Sequence, residues 1–174
     1  MLNRSFTPFP ILTTERLTLR QLSTEDGQSI FTLRSDTEIN KYLSRQASKT
    51  IGDAINFINN INDAIEKNDS IYWAITLARS KTFVGTICLF GFSRKNSCEI
   101  GFELMTKFRE QGIMKEAAQV VFDYAFQTLK FQKILAVTHY ENKNSTKLLK
   151  KFNFVKSNEP DKENPDINIF TLTP

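Results

Sequence analysis

The stretch from Cys98 to Ala117, CEIGFELMTKFREQGIMKEA, constrains this chain more than any other. Its first part, Glu99 to Met105, alternates or runs apolar as a strand does. Gly112 sits where the chain must turn tightly. From Ile113 onward the apolar residues Ile113, Ala117, Val120, Val121, Tyr124 and Thr128 follow one helical stripe. A turn that opens a helix exposes backbone N–H groups without intrahelical partners, and the helix dipole adds partial positive charge there. Such a turn can hold an anion, and Arg109 and Lys115 flank it with full charges. The same pattern also fits a plain strand–loop–helix connection. The expectation drawn from these features is a pyrophosphate cradle.

The segments around it give a mixed order. Thr14 to Leu22 alternates as a strand with Leu17, Leu19 and Leu22 inward. Ser23-Thr24-Glu25-Asp26 is a helix start with a capping candidate, followed by Ile30, Phe31 and Leu33 on one side. Asp36 to Leu43 reads as a short helix or turn. Ile51, Ala54, Ile55, Ile58, Ile61 and Ile65 keep a helical period to Lys67, opposite an Asn-rich polar face. Ile71–Leu77, Phe83–Phe90 and the strand at Glu99 are joined by short turns (Arg79 to Thr82, Ser93 to Asn96), which predicts an antiparallel meander. Gly85 marks a bulge or a close backbone approach. Ile134–Thr138 is short and almost fully apolar, as a buried strand is. A helix between two strands predicts parallel pairing of those strands. A short helix carrying Leu148, Leu149 and Phe152 ends at Asn153, a residue that tolerates the left-handed conformation. A strand starts at Phe154, a loop runs from Glu159 to Asp166, and Ile167–Leu172 is the last strand. The expected fold class is mixed α/β (α+β): one mostly antiparallel central sheet flanked by helices, in a single domain over residues 1–174.

Composition narrows the function classes. The chain is 40% hydrophobic and 24% charged, values of a soluble globular protein, with 15 Phe against one Trp. The net charge of +4 is spread along the chain rather than gathered on one face, so the reading is no nucleic-acid partner, with a mild preference for anionic ligands. No apolar run reaches the roughly 18 residues of a membrane span, and the N-terminus lacks a signal-peptide core. With two cysteines, Cys88 and Cys98, the expected location is the reducing cytoplasm; they are read as thiols that could face each other across a hairpin. No His, Cys and carboxylate spacing suits a metal. His139, the lone histidine, is read as structural, and Tyr72 and Trp73 as core residues that could instead line a pocket.

Four pieces, in order, resemble the GNAT N-acetyltransferase superfamily, and within it the RimJ/RimL-like, ribosomal-protein N-terminal acetyltransferase branch. They are Thr14-Glu15-Arg16-Leu17-Thr18-Leu19-Arg20; Glu99-Ile100-Gly101-Phe102; Arg109-Glu110-Gln111-Gly112-Ile113-Met114 with Glu116-Ala117; and Asn142-Lys143-Asn144-Ser145 with Leu148, Leu149, Lys151 and Phe154. The chain departs from the pattern at Met114, where the family has Gly or Ala and the extra bulk would stand beside the cradle, and at Asn153, where it has Gly.

The resemblance implies a reaction and roles. A neutral amine attacks the thioester of acetyl-CoA, the cosubstrate, and the acceptor is a protein N-terminus, such as that of a ribosomal protein, or a small amine. An α-amine, with a pKa near ~8, needs less help than a lysine amine near ~10.4. The base is therefore expected to be a carboxylate working through water: Glu99, or Glu103 four residues along the same strand face. Backbone N–H groups near Leu104 and Met105 would face the developing oxyanion. Ser145, or else Tyr140, would protonate the leaving thiolate, Ser145 being also a candidate helix cap. Arg109, Gln111, Gly112, Ile113, Met114 and Lys115 would hold the cofactor's phosphates. Asn142 would meet its amide arm or serve as a turn residue. The helices between the first two strands, with Tyr42 and the Asn-rich face, would shape acceptor choice. A monomer or homodimer is expected. The rival reading is a non-catalytic acyl-CoA-binding module.

Overall fold

A computed structural model describes residues 4–92, 96–158 and 164–174. Most of the expected turn from Ser93 to Asn96 and most of the loop from Glu159 lie outside them.

The chain opens with a two-residue strand, β1 (Leu12–Thr13), which alternation alone does not reveal, and β2 (Leu17–Gln21). Leu17 and Leu19 are fully buried, so the expected inner face holds; burying each such side chain contributes about 1.5–3 kcal/mol. A 3-10 turn at Thr24–Asp26 leads into α1 (Gly27–Ser35) and α2 (Thr37–Asn40). Then α3 (Ile51–Glu66) starts with a reciprocal cap: Thr50 Oγ1 accepts from the Asp53 N–H, and Asp53 Oδ2 accepts from the Thr50 N–H. The Asn-rich face of α3 is exposed at Asn56, Asn59 and Asn60, while Asn62 turns back to bond Gln21 and the Leu22 carbonyl.

The meander is β3 (Ile71–Leu77), β4 (Phe83–Phe90) and β5 (Ser97–Leu104); α4 (Ile113–Asp123) with a π-helical turn at Tyr124–Thr128 leads to β6 (Lys133–His139). The helical stripe thus changes its period before Thr128. The chain closes with α5 (Lys143–Lys151), β7 (Val155–Lys156) and β8 (Ile167–Leu172). Asn153 is left-handed (φ 64°), as its type predicts. The eight strands form one sheet in the order β1-β2-β3-β4-β5-β6-β8-β7, antiparallel except for β5 against β6.

Alternation sorts the sheet faces. Trp73 packs edge-on against Tyr124 and Phe9, and its Nε1 donates to the Pro10 carbonyl. Tyr72 faces α3 through Phe57 and donates to Thr86 Oγ1. Both are core residues. Gly85 is both a bulge and a close approach: the β3–β4 register shifts beside it, and a Cβ there would lie 2.2 Å from the Glu103 carbonyl oxygen.

Candidate active site

The parallel pair that α4 creates is short. β5 meets β6 only from Ser97 to Glu99, against Lys133 to Leu135. Beyond that point β5 stays with β4 as far as Leu104, while β6 stays with β8 as far as His139. The two strands part and leave a wedge. The N-terminus of α4 lies beyond the end of β5, and that of α5 beyond the end of β6.

At the first of these, Gly112 is the residue before the helix, left-handed at φ 75° and carrying no capping side chain. The next N–H groups, those of Ile113, Met114 and Lys115, therefore receive no side-chain acceptor from the cap position, as an anion cradle requires. Lys115 is exposed and Arg109 half-buried. Gln111 braces the turn, its Nε2 donating to the Lys107 carbonyl. The bulk of Met114 does not stand in the cradle. Its side chain is buried in the core, so only its backbone faces the turn.

The turn is also held from the far end of the sheet. Arg16 donates through Nη1 to the Gln111 carbonyl and through Nε to Glu116 Oε2, while Glu116 Oε1 accepts from the Arg16 N–H and the Thr14 hydroxyl. Burial alone would push the Glu116 carboxyl up, but the hydrogen bonds from Thr14 and Arg16 outweigh it and hold the group below its ordinary range. No spacing in the sequence couples Arg16 to Glu116.

Along β5, Glu99 lies where the strands part, opposite Phe90 and Leu135, and is half-buried. Glu103 is on the same face about 13 Å away along the strand. It is ion-paired with Arg45 from the segment after α2, a partner that sequence reasoning missed. Of the two expected oxyanion donors, the Met105 N–H is already engaged, donating to the Val84 carbonyl at 2.9 Å. Because antiparallel strands alternate their N–H directions, the N–H of Leu104 points to the opposite edge, which β6 has left.

At the other side of the wedge, Asn142 rather than Ser145 caps α5: its Oδ1 accepts from the Ser145 N–H at 3.1 Å. That relieves Ser145 of the capping role and leaves it, half-buried, in the first turn. Tyr140 is 46% exposed and stacks on His139, ring centroids 4.8 Å apart. His139 is sandwiched: Tyr42 stacks on it at 5.4 Å, and its Nδ1 accepts from the Glu141 N–H. The segment after α2 thus touches β5 through Arg45 and β6 through Tyr42, one on each side of the wedge.

The cysteines do not meet. Cys88 is opposite Gly101, not Cys98, and the two thiols lie on opposite faces. Burial pushes both up to about 12, which makes them inert packing groups. Among the described residues no cluster could hold a metal ion, and no helix is long and apolar enough to cross a membrane.

The Acetyltransferase (GNAT) domain family matches residues 16–155. The chain is 32% identical over 149 residues to the uncharacterized N-acetyltransferase YoaA of Bacillus subtilis (strain 168), covering 85% of this chain and 84% of that one. Among solved structures, a ribosomal-protein-S5-alanine acetyltransferase from Vibrio fischeri superposes with a TM-score of 0.80 at 18% identity, over 94% of this chain and 96% of that one. A spermidine N-acetyltransferase from Vibrio cholerae, in complex with CoA and spermine, superposes with a TM-score of 0.78 at 20% identity, over 92% and 96%. At these identities the structural likeness establishes the fold.

Proposed function

Because this chain belongs to the GNAT family and is an N-acetyltransferase of mixed α/β fold, we propose that it moves the acetyl group of acetyl-CoA to the primary amine of a protein N-terminus, such as that of a ribosomal protein, or of a small molecule, by direct attack in the wedge between β5 and β6. The observation that carries this reading is the wedge with the uncapped N-terminus of α4 beyond it. The left-handed Gly112 and the N–H groups after it have the chemistry to take a pyrophosphate, with Arg109 and Lys115 adding charge and Asn142 available to the cosubstrate's amide arm. When bound, acetyl-CoA supplies an activated thioester carbonyl.

This chain's own groups then manage charge and protons. Glu99 takes a proton from the incoming amine through water. The Leu104 N–H donates to the carbonyl oxygen as it gains negative charge. The amine nitrogen bonds to the carbonyl carbon, the carbon–sulfur bond breaks, and Ser145 or Tyr140 protonates the departing thiolate. Ser145 is favoured, because Asn142 already caps the helix through the Ser145 N–H and leaves the serine hydroxyl out of that role. We assign the chain to the RimJ/RimL-like branch and to the cytoplasm on its motifs and its GNAT relatives.

The test is thiol release from acetyl-CoA against a panel of amino acids, polyamines and N-terminal peptides. Amine-dependent release supports the reading. Tight CoA binding without turnover on any acceptor would replace it with the acyl-CoA-binding module, and absence of CoA binding would sink both.

A further inference from the structure

The two faces of the sheet are covered unequally. On one, α4 and α5 lie side by side: Tyr124 meets Trp73, and Phe122 packs on Phe152 and Phe154. Ile134, Ala136 and Phe170, which β6 and β8 turn to that face, are buried. The other face is covered by α3 over β3, where Phe57 meets Tyr72. Strand pairing carries Tyr72 across to Cys88 and Gly101, so Glu99, two residues before Gly101, is on this second face.

Beyond Glu99 the second face stays accessible. Leu135 lies beside Glu99, and Thr171 beside Leu135. The next row is Val137 with Ile169, and the one after it His139 with Ile167. Leu135, Ile169 and Ile167 are only half-buried, and Val137 is 39% exposed, although all four are apolar. Tyr42, stacked on His139, forms an aromatic wall at the far end. A contiguous accessible apolar face is the mark of a binding surface. By strand spacing Val137 stands about 8 Å from Glu99 and Ile169 about 12 Å. Both distances are within reach of the first three or four residues of an extended chain whose amine is held at Glu99. Apart from Glu99 these rows carry no carboxylate, and Glu103 is already ion-paired with Arg45. The further ammonium groups of a polyamine meet no partner there.

We infer that this open face is the acceptor shelf, and that it selects a peptide N-terminus with bulky apolar side chains at its second and third residues. Its role rests on the acetyltransferase reading and deepens it. The helices whose N-termini flank the wedge lie on the opposite face, so an amine that meets Glu99 arrives from the open one. The side chains that follow the amine come to rest on Val137 and Ile169, whose apolar surface loses its water. A small amine covers only the first row and gains little from the rest.

The test compares kcat/KM for peptides that share a first residue and carry Leu-Phe or Ser-Gln at the second and third, beside spermidine and phenethylamine. Binding of each to the CoA-loaded protein is measured in parallel by calorimetry, and the oligomeric state by light scattering. The expected result is a preference of about 10-fold or more for the Leu-Phe peptide, as partial burial of such side chains provides. It should appear in KM rather than kcat, because the shelf grips ground state and transition state alike. Val137→Ser and Ile169→Ser should each remove most of the preference, with the Ser-Gln peptide's rate and CoA affinity retained, while Val137→Leu keeps it. Val155→Ser, at the outer end of the Glu99 row on β7, should leave it intact. Equal kcat/KM for the two peptides overturns the inference, as does a faster reaction with spermidine or phenethylamine. So does a preference that survives both Ser variants, or a change of oligomeric state in them with the preference unchanged, which makes the face a contact between copies of this chain. If no acceptor turns over but the Leu-Phe peptide binds selectively and Val137→Ser abolishes that binding, the shelf stands and the acetyltransferase reading falls. If none turns over and none binds selectively, both fall.

Discussion

Arg16 Nε lies 2.6 Å from Glu116 Oε2, joining the residue before β2 to the first turn of α4, 100 residues along the chain. The same guanidinium holds the Gln111 carbonyl at 3.1 Å. One side chain thus sets both the helix and the turn before it. Arg16→Ala is expected to weaken CoA binding about tenfold, the worth of a charged hydrogen bond of about 1.5 kcal/mol, with a smaller loss of stability because Arg16 is half-exposed. Arg16→Lys should recover little, since a single ammonium cannot reach both partners in the fork geometry. Calorimetric titration with CoA checks both.

Asp26 is expected to govern acid stability. Its two oxygens accept from Arg20 at 2.8 and 2.7 Å, and Oδ2 also accepts from the Ser23 N–H. Burial pushes the carboxyl up, but the Arg20 and Ser23 hydrogen bonds pull it below the ordinary value. A carboxyl lowered on folding stabilises fully above its unfolded pKa of roughly 3.9, and that stabilisation is lost as pH falls through the lower folded value. Asp26→Ala should cost about 3 kcal/mol at neutral pH by leaving Arg20 without its partner. In urea denaturation the gap between parent and variant should then narrow as pH drops below about 4.

Gly85→Ala tests the close packing of β4 on β5. The added Cβ would stand 2.2 Å from the Glu103 carbonyl oxygen and 3.0 Å from the Leu104 Cα. Both are backbone atoms, so the strands must separate. The expected cost is about 3 kcal/mol, at the upper end for overpacking, together with a loss of turnover, because β5 carries Glu99, Leu104 and Glu103. Denaturation midpoints measured beside steady-state rates separate the two effects.

Local chemistry made much of the fold legible. Leu17 and Leu19 announced a buried strand face by alternation, the isoleucines of α3 announced a helix by period, and Asn153 announced a left-handed helix end by residue type. The wedge was legible only in outline. A helix between Leu104 and Ile134 implies parallel strands, but where they part depends on pairing across the sheet. Hydroxyl residues favour a helix cap, so residue type alone points to Ser145. Asn142 takes it because the helix begins one residue after it. The bulk of Met114 looked like an obstacle because sequence does not tell which way a first-turn side chain points; it points into the core. Nothing in the local sequence singles out Arg45. It lies in an irregular segment, and its partner Glu103 is 58 residues away, so no periodicity connects them.

The most direct measurement is amine-dependent thiol release from acetyl-CoA by the parent and by Glu99→Gln, followed across pH with CoA affinity measured in parallel. The expected result is release that requires an amine and falls by about 10²-fold or more in Glu99→Gln, the usual contribution of a general base, with CoA affinity unchanged and the parent's acidic limb gone from the pH profile. Release that ignores the amine contradicts acetyl transfer in the wedge. A Glu99→Gln enzyme with the parent's rate and profile removes Glu99 from the chemistry.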